Sequence, residues 1–389
     1  MNDVDVAIVG GRVAGASTAL LLARAGLRVA VLERSRAGSD TVSTHGLMRA
    51  GVLQLSRWGV LPDLVAAGTP AIRRTVFHYG DGGTAQVSLR SSPGVDALYA
   101  PRRHLLDRVL VEAAAASGAD VRHETPVVGL LRDVDGRVLG VRTSNGAGRE
   151  VPVRAKLTIG ADGVGSSVAR DVSAPYVSRG QAASAILYRY VADVPSDGYV
   201  WGYGDRTAAG LIPTNGGETC VFVATTPERM RALRREGAEE AYDRLLDAVP
   251  APVSDLVRAG AAPGRLHGWR GKPGHVRRSF GPGWALVGDA GYFKDPITTH
   301  GLTDALRDAQ LLSDAVLADH AGGVPGVAMA RYQDTRDRLS RDLVEVTESV
   351  CRYDWDGERI RMLLRRVSAA MSDEMDHLSA QLQPQLDHA

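Results

Sequence analysis

Residues 7–18 read VAIVGGRVAGAS, a glycine-rich turn with the spacing that cradles phosphate. Gly10 and Gly15 hold the outer positions of a Gly-x-Gly-x-x-Gly pattern, and Arg12 stands where the middle glycine belongs. In such a turn, backbone N–H groups face a pyrophosphate at the start of a helix, whose dipole adds partial positive charge. An acidic residue about 20 positions further on accepts hydrogen bonds from ribose hydroxyls. Glu33, followed by Arg34, ends the next apolar run and meets that requirement. Arg12 admits two readings. Its Cβ obstructs the close approach of a ligand to the backbone, or the local geometry suits any residue and the guanidinium points outward or along the phosphate. A strand–helix turn that binds nothing is the plainer alternative for the whole segment.

Three later stretches carry related chemistry. IGADGVGSSVAR (159–170) sets Asp162-Gly163 directly after an apolar run, with Ser166, Ser167 and Arg170 where a helix begins. WALVGDAGYFKDPITTHGLTDALRDA (284–309) holds Gly288-Asp289, Pro296 and Gly301, then Asp308-Ala309 within a helix. RRHLLDRVLVEAA (102–114) has an Arg-x-x-Leu-Asp-x-x-Leu spacing from Arg103 to Leu110. With these motifs in this order, the chain resembles the class A flavoprotein monooxygenases of the para-hydroxybenzoate hydroxylase type, together with the related flavin-dependent halogenases and geranylgeranyl reductases. The resemblance covers residues 4–320.

That resemblance implies FAD as cofactor and NADPH or NADH as electron donor. It assigns Gly10, Gly15, Glu33 and Arg34 to the ADP half of FAD, and Arg103 to a position along the cofactor. Asp162 and Gly163 belong to the element near the pyrophosphate, Asp289 to the ribityl chain, and Pro296 through Gly301 to the isoalloxazine ring. A helix start suits the ring because reduced flavin carries negative charge. Thr298 and Thr303 depart from the family, which has a glycine and an asparagine there. The implied reaction is hydroxylation of an aromatic or polyketide-like small molecule through a flavin C4a-hydroperoxide, as in secondary metabolism. The cofactor does the hard chemistry in such enzymes, so the lack of a Ser-His-Asp or metal signature does not count against it.

His45, in STHGLMRAG, and His300, in the ring-facing stretch, are candidate catalytic residues; each is equally read as a histidine satisfied within its loop. Lys294 is assigned a structural or surface role. Tyr188 and Tyr190 alternate along one expected strand, as do Tyr199, Trp201 and Tyr203 along another. They line a pocket for a planar substrate or form ordinary sheet core. Other activities stay open: a flavin-dependent dehydrogenase or geranylgeranyl reductase-like enzyme, a halogenase-like enzyme fed reduced flavin by a partner, and a flavoprotein without catalysis. The halogenases use an early lysine and a Trp-x-Trp-x-x-Pro signature; here the first lysine is Lys156 and the signature is absent.

These residues need particular elements to position them. DVAIVG (5–10) reads as a buried parallel strand, AGASTALLLARAG (14–26) as a helix stopped by Gly26, and LRVAVLER (27–34) as a second buried strand. Residues 119–162 alternate and carry Asp-Gly and Asn-Gly hairpin signals. Residues 180–280 are mostly strands with one helical insert at 227–249, WALVGDAG (284–291) is another buried strand, and the chain is mainly helical from 301. The expected fold is α/β: a discontinuous Rossmann-like FAD-binding domain (1–75, 95–175 and 280–325), an inserted β-sheet substrate domain (76–94 and 176–279) and a C-terminal helical segment (326–389). That last segment packs on the body or contacts a partner.

The 389 residues have a net charge of +1, which disfavours a basic nucleic-acid groove. The apolar stretch 13–32 is interrupted by Arg24 and Arg28, against an integral membrane segment, and the N-terminal acids argue against a signal peptide. Cys220 and Cys351 lack metal-ligand spacing and suit a cytoplasmic setting. The expected partner is a small-molecule substrate; a flavin reductase and a homodimer stay open.

Overall fold

The computed structural model describes residues 3–144, 148–324 and 326–380. Strand β1 (Asp3–Val9), helix α1 (Val13–Arg24) and strand β2 (Val29–Leu32) form the opening βαβ unit. The four residues of β2 are all buried, as befits a parallel strand covered on both faces. Alanine and leucine favour the α1 helix, which buries Val13, Ala16, Ala19, Leu20 and Ala23 at helical spacing. Helices α2 (Arg49–Arg57) and α3 (Leu61–Ala66) follow, and then the hairpin β3 (Arg74–Tyr79) and β4 (Thr84–Ser88). Helix α4 (Arg103–Ala116) leads to β5 (Asp120–Arg122). The meander β6 (Val127–Arg132), β7 (Val138–Ser144) and β8 (Glu150–Gly160) comes next. Its first turn carries Asp135-Gly136; the Asn145-Gly146 turn signal lies outside the described residues.

Helix α5 (Ser167–Asp171) and strands β9 (Tyr176–Arg179), β10 (Ala185–Ala192), β11 (Tyr199–Gly204), β12 (Thr207–Pro213) and β13 (Glu218–Thr225) follow. The helical insert is longer than the sequence suggested. It comprises α6 (Pro227–Leu233), α7 (Ala238–Asp247) and α8 (Ala251–Ala259), because Pro250 starts a new helix after the glutamate-rich one ends. Strands β14 (His267–Trp269), β15 (His275–Arg277), β16 (Phe280–Gly281), β17 (Trp284–Leu286) and β18 (Tyr292–Phe293) precede helices α9 (Gly301–His320), α10 (Val327–Val350) and α11 (Gly357–Ala380). The expected strand over 284–291 stops at Leu286, and Gly288–Ala290 is a 3-10 turn.

Three sheets result. The first runs β16-β17-β8-β1-β2-β5, with β6 and β7 added along β8. Its centre is parallel: Val9 pairs with Leu32 on one side and Gly160 on the other, and Leu286 pairs with Gly160. The strand ends at Val9, Leu32, Gly160 and Leu286 therefore converge on one edge, where ligands bind in open α/β sheets. The second sheet runs β14-β10-β13-β12-β11-β3-β4, and a small third one runs β18-β15-β9. The first sheet packs on α1, α4 and α9 through residues such as Ile8, Leu20, Val31, Leu106 and Leu306. One face of the second sheet packs on α7 and α8 through Val221, Leu211, Leu245 and Val253. The C-terminal segment packs on the body: α11 buries Ile360, Leu363, Val367, Met375 and Leu378. No helix among the described residues is long and apolar enough to cross a membrane.

Candidate active site

The glycine turn lies between β1 and α1. A Cβ on Gly15 would sit 1.9 Å from the Gly10 carbonyl oxygen, and one on Gly10, whose φ is +102°, would sit 2.5 Å from the Ala161 oxygen. Both positions exclude a side chain. Arg12 does not: its backbone is extended, at φ −91° and ψ −165°. Its guanidinium turns to α4 and donates to Asp107 Oδ2 at 3.0 Å, while Arg103 donates to Oδ1 of the same carboxylate at 3.0 Å. The reading in which the geometry tolerates any residue is the one the structure adopts. The first intrahelical bond of α1 runs from the Ala16 N–H to the Arg12 carbonyl at 2.8 Å, leaving the N–H groups of Val13, Ala14 and Gly15 without intrahelical partners.

Glu33 ends β2 beside this turn and is buried. It accepts from the Gly11 and Ser35 N–H groups, both at 2.8 Å. Burial pushes its carboxyl up, but those two N–H groups outweigh burial and hold it below the ordinary carboxylate value. Arg34 is exposed. A cleft of about 350 Å³ opens here, lined by Gly11, Arg12, Glu33, Ser39, Asp107 and His123 among others. Along the same sheet edge, Asp162 accepts from the Ser167 N–H at the start of α5 at 2.6 Å, beside the cap residue Ser166, with Gly163 next to Asp162 in the chain. Asp289 is partly buried on the 3-10 turn after β17. Burial pushes it up to about 6, against the pull of Lys294 and Arg103.

The 296–303 stretch is a short 3-10 turn, Pro296–Thr298, then left-handed Thr299, then His300 as the cap of α9. Asp295 holds the turn by accepting from the Ile297 N–H at 3.0 Å and ties it to β10 through the Ser184 N–H at 2.6 Å. The Asp304 N–H makes the first helical bond, so those of Gly301, Leu302 and Thr303 lack intrahelical partners. The two departures from the family pattern are taken up by protein contacts. The Thr298 and Thr347 hydroxyls lie 3.2 Å apart, and Thr303 Oγ1 accepts from the Met48 N–H at 3.0 Å. The start of α2 is thereby joined to the start of α9.

His45 sits in the loop before α2, fully buried with a left-handed φ of +64°. Non-glycine residues held this way cluster at functional sites. Its Nε2 meets the Tyr190 hydroxyl, and its Nδ1 has no partner among the described residues. Burial, then Arg103 and Arg102, push its pKa down to about 3, so the ring is neutral at pH 7. The Arg102 guanidinium lies 3.6 Å from the Tyr190 ring centroid and donates to Glu218 at 2.5 Å. Tyr188 packs edge-on to Tyr190 and stacks on His267 at 5.0 Å. Burial pushes the Tyr188 hydroxyl up to about 12 and the Tyr190 hydroxyl higher still. Tyr188, Tyr190, Tyr199, Trp201 and Tyr203 share one sheet face and one buried cluster with Ile297, Trp355 and α11 residues.

Sequence reasoning missed a set of buried charges behind the 296–301 turn. Lys294 is 6% exposed, so a surface role does not hold; it pairs with Asp304 Oδ2. Asp304 Oδ1 lies 3.0 Å from His300 Nδ1, and Glu374 of α11 lies 3.0 Å from His300 Nε2. Arg307 donates to Glu374 at 2.9 Å and to Asp308 at 2.7 Å. The positions of His300, Asp304 and Arg307 along one helix face were legible as i, i+4 and i+7. Nothing local to Glu374 marks it. The donor atoms of His300, Asp304 and Glu374 lie within 4.8 Å of one another. Lys294 and Arg307 already neutralise the carboxylates, so the chemistry of this set is that of an ion network rather than a divalent metal site. Arg102 and His267 were likewise not singled out from sequence.

The family described as FAD binding domain matches residues 3–347, and the chain belongs to it. Among curated relatives, the digeranylgeranylglycerophospholipid reductase of Methanosarcina mazei is 25% identical over 360 residues, 87% of this chain and 81% of the relative. Digeranylgeranylglycerophospholipid reductase 1 of Methanopyrus kandleri is 28% identical over 90% of each chain. Among solved structures, PqsL, a probable FAD-dependent monooxygenase from Pseudomonas aeruginosa, has a TM-score of 0.79 at 24% identity, covering 94% of this chain and 100% of that one. PqsL has also been solved in complex with 2-aminobenzoylacetate. The myxobacterial chondrochloren halogenase CndH has a TM-score of 0.77 at 23% identity, covering 88% of this chain and 80% of that one. The fold is that of the FAD-dependent monooxygenases and halogenases, and the chain is an FAD-dependent oxidoreductase.

Proposed function

We propose that this member of the FAD-binding family is a monooxygenase that hydroxylates an aromatic or polyketide-like small molecule, with NADPH or NADH as reductant, in secondary metabolism. The balance is R–H, O₂, NAD(P)H and a proton giving R–OH, water and NAD(P)⁺. FAD, when bound, carries the two electrons from the reductant and supplies the oxygen-activating chemistry. The residues present fit such a group. Gly10 and Gly15 leave room at the α1 terminus, whose unpaired N–H groups suit a pyrophosphate. Anionic Glu33 lines a cleft of adenosine size and can accept from ribose hydroxyls. Arg103, Asp162 and Gly163 are assigned to the stretch between the ADP half and Asp289, itself assigned to the ribityl chain. Pro296 through Gly301, ending at an uncapped helix start, faces the ring.

The observation that carries the substrate reading is the aromatic face. Tyr188, Tyr190, Tyr199, Trp201 and Tyr203 meet Ile297 of the ring-facing turn in one dry cluster. Planar, electron-rich molecules stack on such rings, and a dry site suppresses side reactions. Neutral His45, which meets the Tyr190 hydroxyl through Nε2, can accept a hydrogen bond at Nδ1 from a substrate hydroxyl and orient it. PqsL in complex with 2-aminobenzoylacetate gives a structural relative with a small molecule bound. Free, buried Cys220 and Cys351 suit a reducing cytoplasm.

A second reading, reduction of a prenyl chain, is favoured by the curated reductase relatives. It also draws on the aliphatic residues Leu343, Val346, Ile360 and Leu363 that complete the same cluster. Anaerobic mixing of the purified flavoprotein with NADPH or NADH, with and without a panel of phenolic compounds, separates the two. Rapid flavin bleaching accelerated by a phenol, followed by oxygen consumption matching hydroxylated product, supports the monooxygenase. Reduction that saturates a geranylgeranyl compound without consuming oxygen would replace it with the reductase.

A further inference from the structure

Helix α11 lies beyond residue 347, where the family match ends. It nevertheless sends a carboxylate into the ring-facing turn. Glu374 is 2% exposed, and its Oε2 stands 3.0 Å from His300 Nε2. The other ring nitrogen, Nδ1, stands 3.0 Å from Asp304 Oδ1. Nδ1 is hydrogen-bonded to Asp304, while Nε2 faces the Glu374 carboxylate at ion-pair distance, so the ring is held between two carboxylates on its two nitrogens. Lys294 and Arg307 supply the positive charge beside Asp304, Asp308 and Glu374. Burial holds the His300 pKa below the ordinary imidazole value, and the Glu374 carboxylate opposes that shift. Glu374 is also bridged by Arg307, whose Nη2 donates to Ser340 of α10 at 3.0 Å. Arg307 thus ties α9, α10 and α11 together, and Glu374 links that node to His300, the residue that caps α9.

We propose that Glu374 is a positioning residue of the flavin site: it clamps His300, so that the C-terminal helix sets the geometry of the turn facing the isoalloxazine ring. The proposal rests on the reading of residues 296–301 as ring-facing. Glu374 touches no reacting group in this scheme; it acts through His300.

The test is FAD affinity, by titration of flavin fluorescence, measured alongside apo-protein melting for full-length variants. Glu374→Gln keeps the size and removes the charge. It weakens FAD binding at least about tenfold, the order of one charge-assisted hydrogen bond. Leu378→Ala, on the same helix and fully buried, lowers the melting temperature but leaves FAD affinity within about twofold. Glu374→Asp, which keeps the charge but withdraws the carboxylate, gives the same comparison if Glu374→Gln does not fold. Combining Glu374→Gln with His300→Gln weakens binding no further than His300→Gln alone, because one residue acts through the other. FAD affinity unchanged in both Glu374 variants, with melting lowered as in Leu378→Ala, overturns the proposal. Wild-type chain that takes up no FAD overturns the flavin reading itself, and the proposal with it.

Discussion

Arg12 offers a direct test of how the glycine turn works. Arg12→Gly restores the family's glycine pattern at the position where this chain departs from it. The extended backbone at Arg12 needs no glycine, so the substitution gains nothing in backbone strain. It removes the charge-assisted hydrogen bond from a guanidinium 29% exposed to a carboxylate 12% exposed, and two longer ones, at 3.4 Å, to Ser39. Asp107 is not orphaned, because Arg103 still donates to it. The loss is therefore about 1 kcal/mol. A glycine at this helix cap adds only a few tenths, as Arg12 makes no side-chain cap bond. For a chain of 389 residues that is a fall of about 1–2 °C in melting temperature. FAD affinity stays within about threefold of wild type, since the guanidinium points to α4 rather than into the turn. Gly15→Ala is the contrast. A methyl group placed 1.9 Å from the Gly10 carbonyl oxygen forces the turn apart and lowers FAD affinity by about 100-fold or more, or prevents folding. Melting curves with and without FAD, with affinities from flavin fluorescence, measure both. If Arg12→Gly tightens FAD binding tenfold, Arg12 obstructs the ligand and the reasoning from its backbone conformation is wrong.

Further outcomes follow from the buried titratable groups. Asp289 holds its proton more tightly in the folded chain, with a pKa of about 6 against an ordinary 3.8. Its contribution to stability is fully present below about pH 4 and is lost as pH rises through 6. Asp289→Asn should leave the FAD-free melting temperature unchanged at pH 4 and raise stability at pH 8 by about 1–3 kcal/mol; equal gains at both pH values would refute this account. Tyr190→Phe removes the hydroxyl that meets His45 and should lower turnover of the identified phenol about 10- to 100-fold with FAD affinity unchanged, checked by steady-state kinetics and titration. His45→Gln should do the same, and a fall in FAD affinity without a fall in turnover would reassign His45 to the cofactor. Trp355→Ala opens the cover over Tyr203 and should raise KM for an aromatic substrate more than it changes turnover.

The opening strand, glycine turn, helix and second strand were legible because they are local. A β-branched run, a glycine turn, a helix and an acid at the end of the next strand occupy about 30 consecutive residues, and short-range sterics decide each of them. The loops that hold Asp162 and Asp289 were legible for the same reason, each lying just after an apolar strand. The alternation that put Tyr199, Trp201 and Tyr203 on one face is likewise a property of a strand's period of two. What covers that face was not legible. Trp355 and Leu363 come from more than 140 residues further along the chain, and their meeting with the sheet depends on how α11 docks.

The orientation of Arg12 was open in the sequence, because either direction satisfies the local pattern; only the position of Asp107 on α4, 95 residues away, settles it. The same holds for Lys294 and Glu374. A lysine between two motifs reads as structural or surface, and nothing in the sequence around Glu374 singles it out, since charged side chains are rarely buried without partners. Tertiary packing brings them together with Asp304, His300 and Arg307, and the mutual neutralisation that makes their burial tolerable exists only once all of them have been assembled.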